Sequence, residues 1–492
     1  MKLWQKIAVA VAILTVGVLV YSPHFSYHFP FHVDEWHHIS EAIRLGSYGE
    51  YFDVLRTEWQ QRFGGMEMGF HFSLFVLSFF TDLVLSYQYL PALWAMLSAA
   101  IIFYTTYKKT GNNFLIGLLA VIFFGSIKSN VNLTGLWFFT PLTFAIPLIF
   151  LYLYLFTEGV EQNNRKFVLL SLALMLALVP THSISVLFAI PMLLMYSLIN
   201  IKFFIREYKL TLLFLTVPII GVLFYKAVIQ VPWSEMLRHL FDQLQFNFGW
   251  GVLEIPNKFT DAYSPVALTL AALGVLYILI WHPKSIRPYL LYLLWPITTA
   301  VSVFIFRLTG VAYLSPAQRT LYYFTLSLPF FSALGVYGLL DLGRRYLLTG
   351  PFNQRLPKIV ESLCAGLIIA IAVVLIFIPY YQIPKQVDLY RVIDDGDYQA
   401  LLWLKDQPQS TVMATPFVST ALYPITGHTP VGTVAFYGNR DDVIAFLASP
   451  TCQQRAEILQ KHHVTYVVSP VTLSCDWSLV YEKEKFIYQA GR

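Results

Sequence analysis

The chain has 492 residues, of which 57% are hydrophobic, 17% aromatic and only 12% charged, with a formal net charge of +5. A mean hydropathy of +0.59 over that length excludes an ordinary soluble domain and a disordered chain, and defines a polytopic integral membrane protein built of helices. The net charge names no partner until it is divided between membrane sides, and no nucleic-acid partner is expected.

Apolar runs near 5–22, 88–107, 113–127, 134–156, 167–181, 183–200, 209–229, 262–281, 288–306, 320–341 and 359–380 predict about eleven transmembrane helices. The first run has no small-residue cleavage site after Tyr21-Ser22-Pro23-His24 and reads as a retained anchor. Under this count the short basic connectors fall on one side: Lys2 and Lys6, Lys108 and Lys109, Arg165 and Lys166, Lys202 with Arg206 and Lys209, Lys284 and Arg287, and Arg344, Arg345, Arg355 and Lys358. The positive-inside tendency makes that side cytoplasmic, so the N-terminus is cytoplasmic and the C-terminal domain extracytoplasmic. The stretch 70–86 is apolar enough to be a further span, which would invert every later loop. It is read instead as a juxtamembrane or re-entrant helix on the outer side, with Asp82 as its polar handle.

The predicted organisation is a transmembrane domain over 1–384, with an external loop at 23–69, and an external soluble α/β domain over 385–492. The tail predicts a helix from Asp397 to Lys405, an extended run from Thr411 to Thr415, and a loop punctuated by Pro424, Gly427, Pro430 and Gly432. Helices over 441–448 and 451–462, a strand from Val464 to Val468 and a last extended stretch to Tyr488 follow; helix alternating with strand indicates a small α/β domain. Cys364 falls in the last predicted span. Cys452 and Cys475 both fall in the tail, where they are either paired by an oxidising compartment or left as two buried thiols.

The external loop carries the densest chemistry, in His32-Val33-Asp34-Glu35-Trp36-His37-His38. A helix starting near Asp34 places Asp34, His37, His38 and Glu41 on one stripe and Trp36, Ile39 and Ile43 on another, so the helix would lie along the membrane surface. The helix dipole favours ionised Asp34 and Glu35 in the first turn. A carboxylate there can accept a proton, bind a metal or simply cap the helix. Asp34 and His38 are candidate metal ligands: oxygen-rich spacing suits Mg or Mn, while the histidines favour Zn. His182 in a tight external turn, Lys128 in another, and Arg307 and Arg319 bracketing RLTGVAYLSPAQR are candidates for holding an anionic headgroup. Each of these also has a bland reading as an anchor at a helix end.

With many spans, an acidic first external loop, a following surface helix and a soluble tail, the chain resembles the GT-C superfamily of membrane glycosyltransferases. The residues that carry the resemblance are Asp34-Glu35 with Trp36 and His38, Gly69-Phe70-His71-Phe72, Thr181-His182-Ser183, Gln318-Arg319-Thr320-Leu321-Tyr322-Tyr323-Phe324, Ala400-Leu401-Leu402-Trp403-Leu404 and Val464-Thr465-Tyr466-Val467-Val468. The resemblance implies a sugar carried on a polyprenyl phosphate or diphosphate and transferred with inversion to a lipid, glycan or protein acceptor at the outer side of the membrane. Its nearest branches are the oligosaccharyltransferases, the protein O-mannosyltransferases and the aminoarabinose transferases. The tail lacks the Trp-Trp-Asp-Tyr-Gly motif of oligosaccharyltransferases, which counts against N-linked transfer.

A phosphate leaves as a stabilised anion, so one carboxylate, Asp34, suffices as base, with Glu35 as its partner and with His37, His38, Lys128, His182, Arg307 and Arg319 binding substrate. Two other readings stand beside it. One is a transporter or flippase of polyprenyl-linked sugars, disfavoured by nearly charge-free spans, and the other is a non-catalytic scaffold. Membrane lipids are partners in every case.

Overall fold

A computed structural model describes residues 1–47, 67–130, 133–229, 232–243, 245–246, 257–281, 286–349, 391–434 and 437–490, with the single positions 366, 370 and 374. Among these residues, six helices are long and apolar enough to cross a membrane: Leu3–Ser26, Leu83–Lys109, Pro141–Glu161, Arg165–His182, Arg287–Thr309 and Ala317–Gly343. Three more of the predicted spans are shorter apolar helices, Phe114–Gly125, Ile184–Ile199 and Pro265–Ile280. The predicted span at 209–229 coincides with a helix, Tyr208–Ile229. The span at 359–380 and residues 48–66 of the loop lie outside the described residues.

The chain forms two compact units interleaved in sequence. One comprises Met1–Ser22, Glu50–Phe70 and Leu90–Ile383; the other comprises Pro23–Gly49, His71–Tyr89 and Pro384–Arg492.

The first unit is a helical body. Its longer helices are α1 (Leu3–Tyr21), α4 (Leu90–Lys109), α5 (Phe114–Gly125), α6 (Pro141–Glu161), α7 (Arg165–His182), α8 (Ile190–Ile199), α9 (Tyr208–Ile229), α10 (Trp233–Gln243), α11 (Pro265–Trp281), α12 (Leu290–Thr309) and α13 (Ala317–Thr349). Small residues bring helix backbones together where apolar burial against lipid offers no preference. A methyl group added at Gly274 of α11 would meet the Phe331 carbonyl oxygen at 1.9 Å, and one at Gly335 of α13 would meet the Leu270 carbonyl oxygen at 2.0 Å. Polar pairing supplies the second tie. Buried Lys109, on α4, donates to Glu158 (3.0 Å) and Glu161 (2.8 Å) of α6.

The second unit contains α2 (Val33–Ser47), most of α3 (Met68–Ser78) and the tail. The stretch 70–86 is not one continuous helix. α3 ends at Ser78, and a separate turn, Leu83–Ser86, begins where Asp82 accepts from the Leu85 amide at 3.1 Å. Eleven residues span about 16 Å, half of the roughly 30 Å hydrocarbon core.

The tail comprises α14 (Asp395–Lys405), α15 (Pro416–Thr426), α16 (Arg440–Ala448) and α17 (Cys452–Lys461) with a five-stranded mixed sheet. With β1 (Gln245–Phe246) and β2 (Ala312–Tyr313) paired in the helical body, the tail strands are β3 (Thr411–Met413), β4 (Thr429–Pro430), β5 (Val464–Ser469), β6 (Ser478–Glu482) and β7 (Phe486–Gln489). Their order is β4-β3-β5-β7-β6, with β3 parallel to β4 and β5, and β7 antiparallel to β5 and β6. Met413, Val443, Phe446, Leu459, Val467 and Tyr488 build its core, and a disulfide joins Cys452 to Cys475. Where the sequence reads as a loop through Pro424 and Gly427, the structure has α15. Pro416 opens it, Thr415 caps it, Pro424 falls in its last turn, and Gly427 closes it at φ 76°.

Candidate functional site

Helix α2 begins because its own side chains satisfy the amides ahead of it. Glu35 Oε2 accepts from the Phe31 amide (2.8 Å) and the His32 amide (3.0 Å), while the His32 carbonyl accepts from the Glu35 amide at 3.0 Å. Trp36 donates its indole N–H to the Pro30 carbonyl at 3.0 Å, and Trp36, Ile39 and Ala42 are fully buried. Glu35 is thus a buried carboxylate engaged with backbone. Asp34 is different: its side chain is 27% exposed, and Oδ2 lies 3.4 Å from His32 Nδ1. Its own backbone amide donates to the same nitrogen at 3.1 Å. Of the two adjacent acids, Asp34 is the more exposed.

Of the polar stripe predicted for α2, His38 and Glu41 are buried, while Asp34 and His37 are half-buried. His38 Nδ1 lies 3.0 Å from Nε2 of His71, a hydrogen bond in which one ring carries the shared proton. Burial pushes the His71 imidazole down to about 3, with the neighbouring His37 adding to the effect, so it stays in the neutral form that ligates metals. Glu67 stands one helical turn ahead of His71, at the point where α3 starts, and the ligand atoms of His38, Glu67 and His71 all fall within 4.8 Å of one another. Two imidazoles and a carboxylate fit Zn, and Mn second, better than all-oxygen Mg. Asp34, the other predicted ligand, is not part of that group.

The remaining predicted residues, His182, Lys128, Arg307 and Arg319, lie in the helical body. His182 Nδ1 is 2.7 Å from Ser185 Oγ, which is 2.9 Å from the Tyr323 hydroxyl, all buried; the Tyr323 ring stacks on Phe188 at 3.9 Å. One turn before Tyr323, Arg319 donates to Thr134 Oγ1 (2.8 Å) and to the Leu133 carbonyl (3.3 Å). Lys128 and Arg307 instead hold a single segment: Lys128 Nζ donates to the Thr260 carbonyl and Arg307 to the Asn257 carbonyl, each at 2.9 Å. Burial keeps the Lys128 ammonium below its ordinary value, opposed by Asp261. A carbonyl is a neutral acceptor, so it fixes a cation without cancelling its charge.

Sequence reasoning missed Glu67, Ser185 and the pairing of His38 with His71. The last two lie 33 residues apart in sequence, and the only local signal was the helical i, i+4 spacing of Glu67 and His71.

No family model matches the chain, and no curated protein does. Solved structures do. The oligosaccharyltransferase AglB from Archaeoglobus fulgidus, in complex with an inhibitory peptide and a dolichol-phosphate, is similar with a TM-score of 0.58 and 12% identity, over 95% of this chain and 69% of that one. The same archaeal enzyme in complex with Zn and sulfate gives a TM-score of 0.54 at 12% identity, over 94% and 68%. ArnT from Cupriavidus metallidurans in the apo state gives 0.54 at 14% identity, over 99% of this chain and 98% of that one. Both proteins are GT-C glycosyltransferases, and the likeness shows that this chain has the GT-C fold.

Proposed function

We propose that the chain is a GT-C glycosyltransferase of the membrane, moving a sugar from a polyprenyl phosphate or diphosphate to an acceptor on the extracytoplasmic side, with inversion at the anomeric carbon. The observation that carries the reading is the split between the two adjacent acids, on a fold found in lipid-linked sugar transferases. Glu35 accepts from two backbone amides, while Asp34 stands half-open at the first turn of α2. Asp34 then takes the acceptor's proton, and Glu35 is a positioning residue that sets the helix start.

The departing phosphate needs positive charge rather than an acid. Arg319 is assigned that role, with Lys128 and Arg307 as further cations; His182, through Ser185 and Tyr323, is assigned to positioning beside Arg319. His37 and His38 are assigned to the substrate side of α2. A divalent cation held by His38, Glu67 and His71 would supply further positive charge, and one neighbour was solved with Zn and sulfate.

The Cys452–Cys475 disulfide supports an extracytoplasmic tail. Agreement over nearly the full length of ArnT, an aminoarabinose transferase, favours transfer of a small sugar over transfer of an oligosaccharide to peptide.

The test is incubation of the purified full-length protein with a panel of polyprenyl-phosphate-linked sugars and a membrane-lipid acceptor extract. Release of free polyprenyl phosphate is expected. Movement of the intact donor across the bilayer without release would assign a flippase instead.

A further inference from the structure

The second unit carries a cleft that the transfer reaction does not use. On α14, Tyr398, Leu402 and Lys405 fall at i, i+4 and i+7 and share one face. With Thr81 and Asp82, and with Ile425 of α15, they line a cleft of about 200 Å³. All of these residues belong to the second unit.

Opposite charges line this cleft without pairing with each other. Asp82 Oδ1 accepts from the Leu85 amide at 3.1 Å, and its carboxylate makes no other hydrogen bond or ion pair among the described residues. Lys405, exposed in the last turn of α14, has no hydrogen-bonded or ionic partner among them either. Burial, with the Asp82 carboxylate nearby, holds the Tyr398 phenol above its ordinary value. Leu402 and Ile425 add apolar wall. A ligand that carries both a cation and an anion matches this lining.

The span that begins in the wall of the cleft indicates where such a ligand comes from. Leu83 and Val84 line the cleft and also open the apolar stretch Leu83–Lys109. The 20 residues of α4 within that stretch rise about 30 Å, which matches the hydrocarbon core by itself. Leu83–Tyr89 is then left at the level of the lipid headgroups. Exposed Leu85 and Tyr89 suit that interface, and exposed Phe79 and Phe80 precede it.

We propose that the cleft docks the headgroup of an ethanolamine phospholipid. Its primary ammonium donates to the second oxygen of Asp82, and its phosphate accepts from Lys405 and from the hydroxyls of Thr81 and Tyr398. Choline has no N–H to donate and glycerol has no positive charge, so neither satisfies Asp82. The bound lipid ties the second unit to the membrane surface, whichever sugar the transferase moves.

The experiment measures binding, independently of turnover, on the full-length protein in detergent. Thermal stabilisation is recorded with short-chain phosphatidylethanolamine, phosphatidylcholine and phosphatidylglycerol, and with inorganic phosphate as the water-soluble probe. Phosphatidylethanolamine is expected to bind about ten-fold more tightly than either of the other lipids. Asp82→Asn keeps the oxygen that caps Leu83–Ser86 and removes the charge, so it should erase that preference. Lys405→Gln should weaken all three lipids alike. Should Asp82→Asn fail to fold, Lys405→Gln decides, since an unchanged affinity for phosphatidylethanolamine in that variant would overturn the proposal. Equal binding of the three lipids, a preference that survives Asp82→Asn, or stabilisation by inorganic phosphate as large as that by phosphatidylethanolamine would overturn it as well.

Discussion

The helical body and the tail are stabilised by different physics. In the body, residues that face lipid gain nothing from leaving it, and order comes from close backbone approach at Gly274 and Gly335 and from buried polar ties such as Lys109 with Glu158 and Glu161. In the tail, a water-type core of Met413, Val443, Phe446, Val467 and Tyr488 forms under a mixed sheet, and a disulfide ties the start of α17 to the segment that follows β5. The difference teaches where each kind of substitution hurts. Removing a charge matters most in the body, and removing a crosslink matters most in the tail.

The largest effect on stability should come from Lys109→Ala, which leaves two enclosed carboxylates without their cation. Loss of about 3–5 kcal/mol is expected, read as reduced yield of folded protein and a lower unfolding temperature. Replacing the whole group, with Lys109→Met, Glu158→Gln and Glu161→Gln together, should cost much less. If the triple variant were as damaged as the single one, the body would not depend on charge balance there.

Next comes the tail crosslink. Its partners are 23 residues apart, and the double substitution Cys452→Ser and Cys475→Ser should remove roughly 3 kcal/mol by loosening the unfolded chain. Calorimetry should show the loss in the tail's own transition, and an unchanged trace would mean that the sheet core alone sets tail stability.

The smallest effect is a pH dependence confined to the tail surface. Lys461 Nζ and His462 Nε2 both bond Asp442 Oδ2, at 2.7 and 2.6 Å, and hold its carboxyl below the ordinary value of 3.8. A depressed folded value means that the contribution is complete above 3.8 and fades as pH falls through the lower one. The gap in tail stability between the native chain and Asp442→Asn should therefore narrow on acidification from pH 5 to 3; a constant gap would contradict the ion pair.

Much of this was legible in the sequence, for reasons that differ by region. Apolar runs announced the membrane helices, and alternating helix and strand patterns announced the tail, since both signals are local and periodic. Asp34 sits at the second position of a helix whose start was read one residue late. The misreadings are all non-local or context-bound. Pro424 and Gly427 look like loop punctuation, yet a proline in a last turn and a glycine just past it are compatible with α15. That Lys128 and Arg307 also tie down the carbonyls of 257–260 was not legible, because no spacing rule connects that segment to them. That Glu35 is spent on the Phe31 and His32 amides follows only from the path of the chain before α2.

The central claim is that two neighbouring acids have been given separate work, with chemistry on Asp34 and architecture on Glu35. The direct measurement is the rate of polyprenyl phosphate release by Asp34→Asn and Glu35→Gln, each with its unfolding temperature. Asp34→Asn should release nothing above background while unfolding at the native temperature. Glu35→Gln, whose amide oxygen still accepts from both backbone groups, should keep much of the rate and lose about 1 kcal/mol of stability. Turnover by Asp34→Asn at the native rate, or abolished turnover in a fully stable Glu35→Gln, would contradict the assignment.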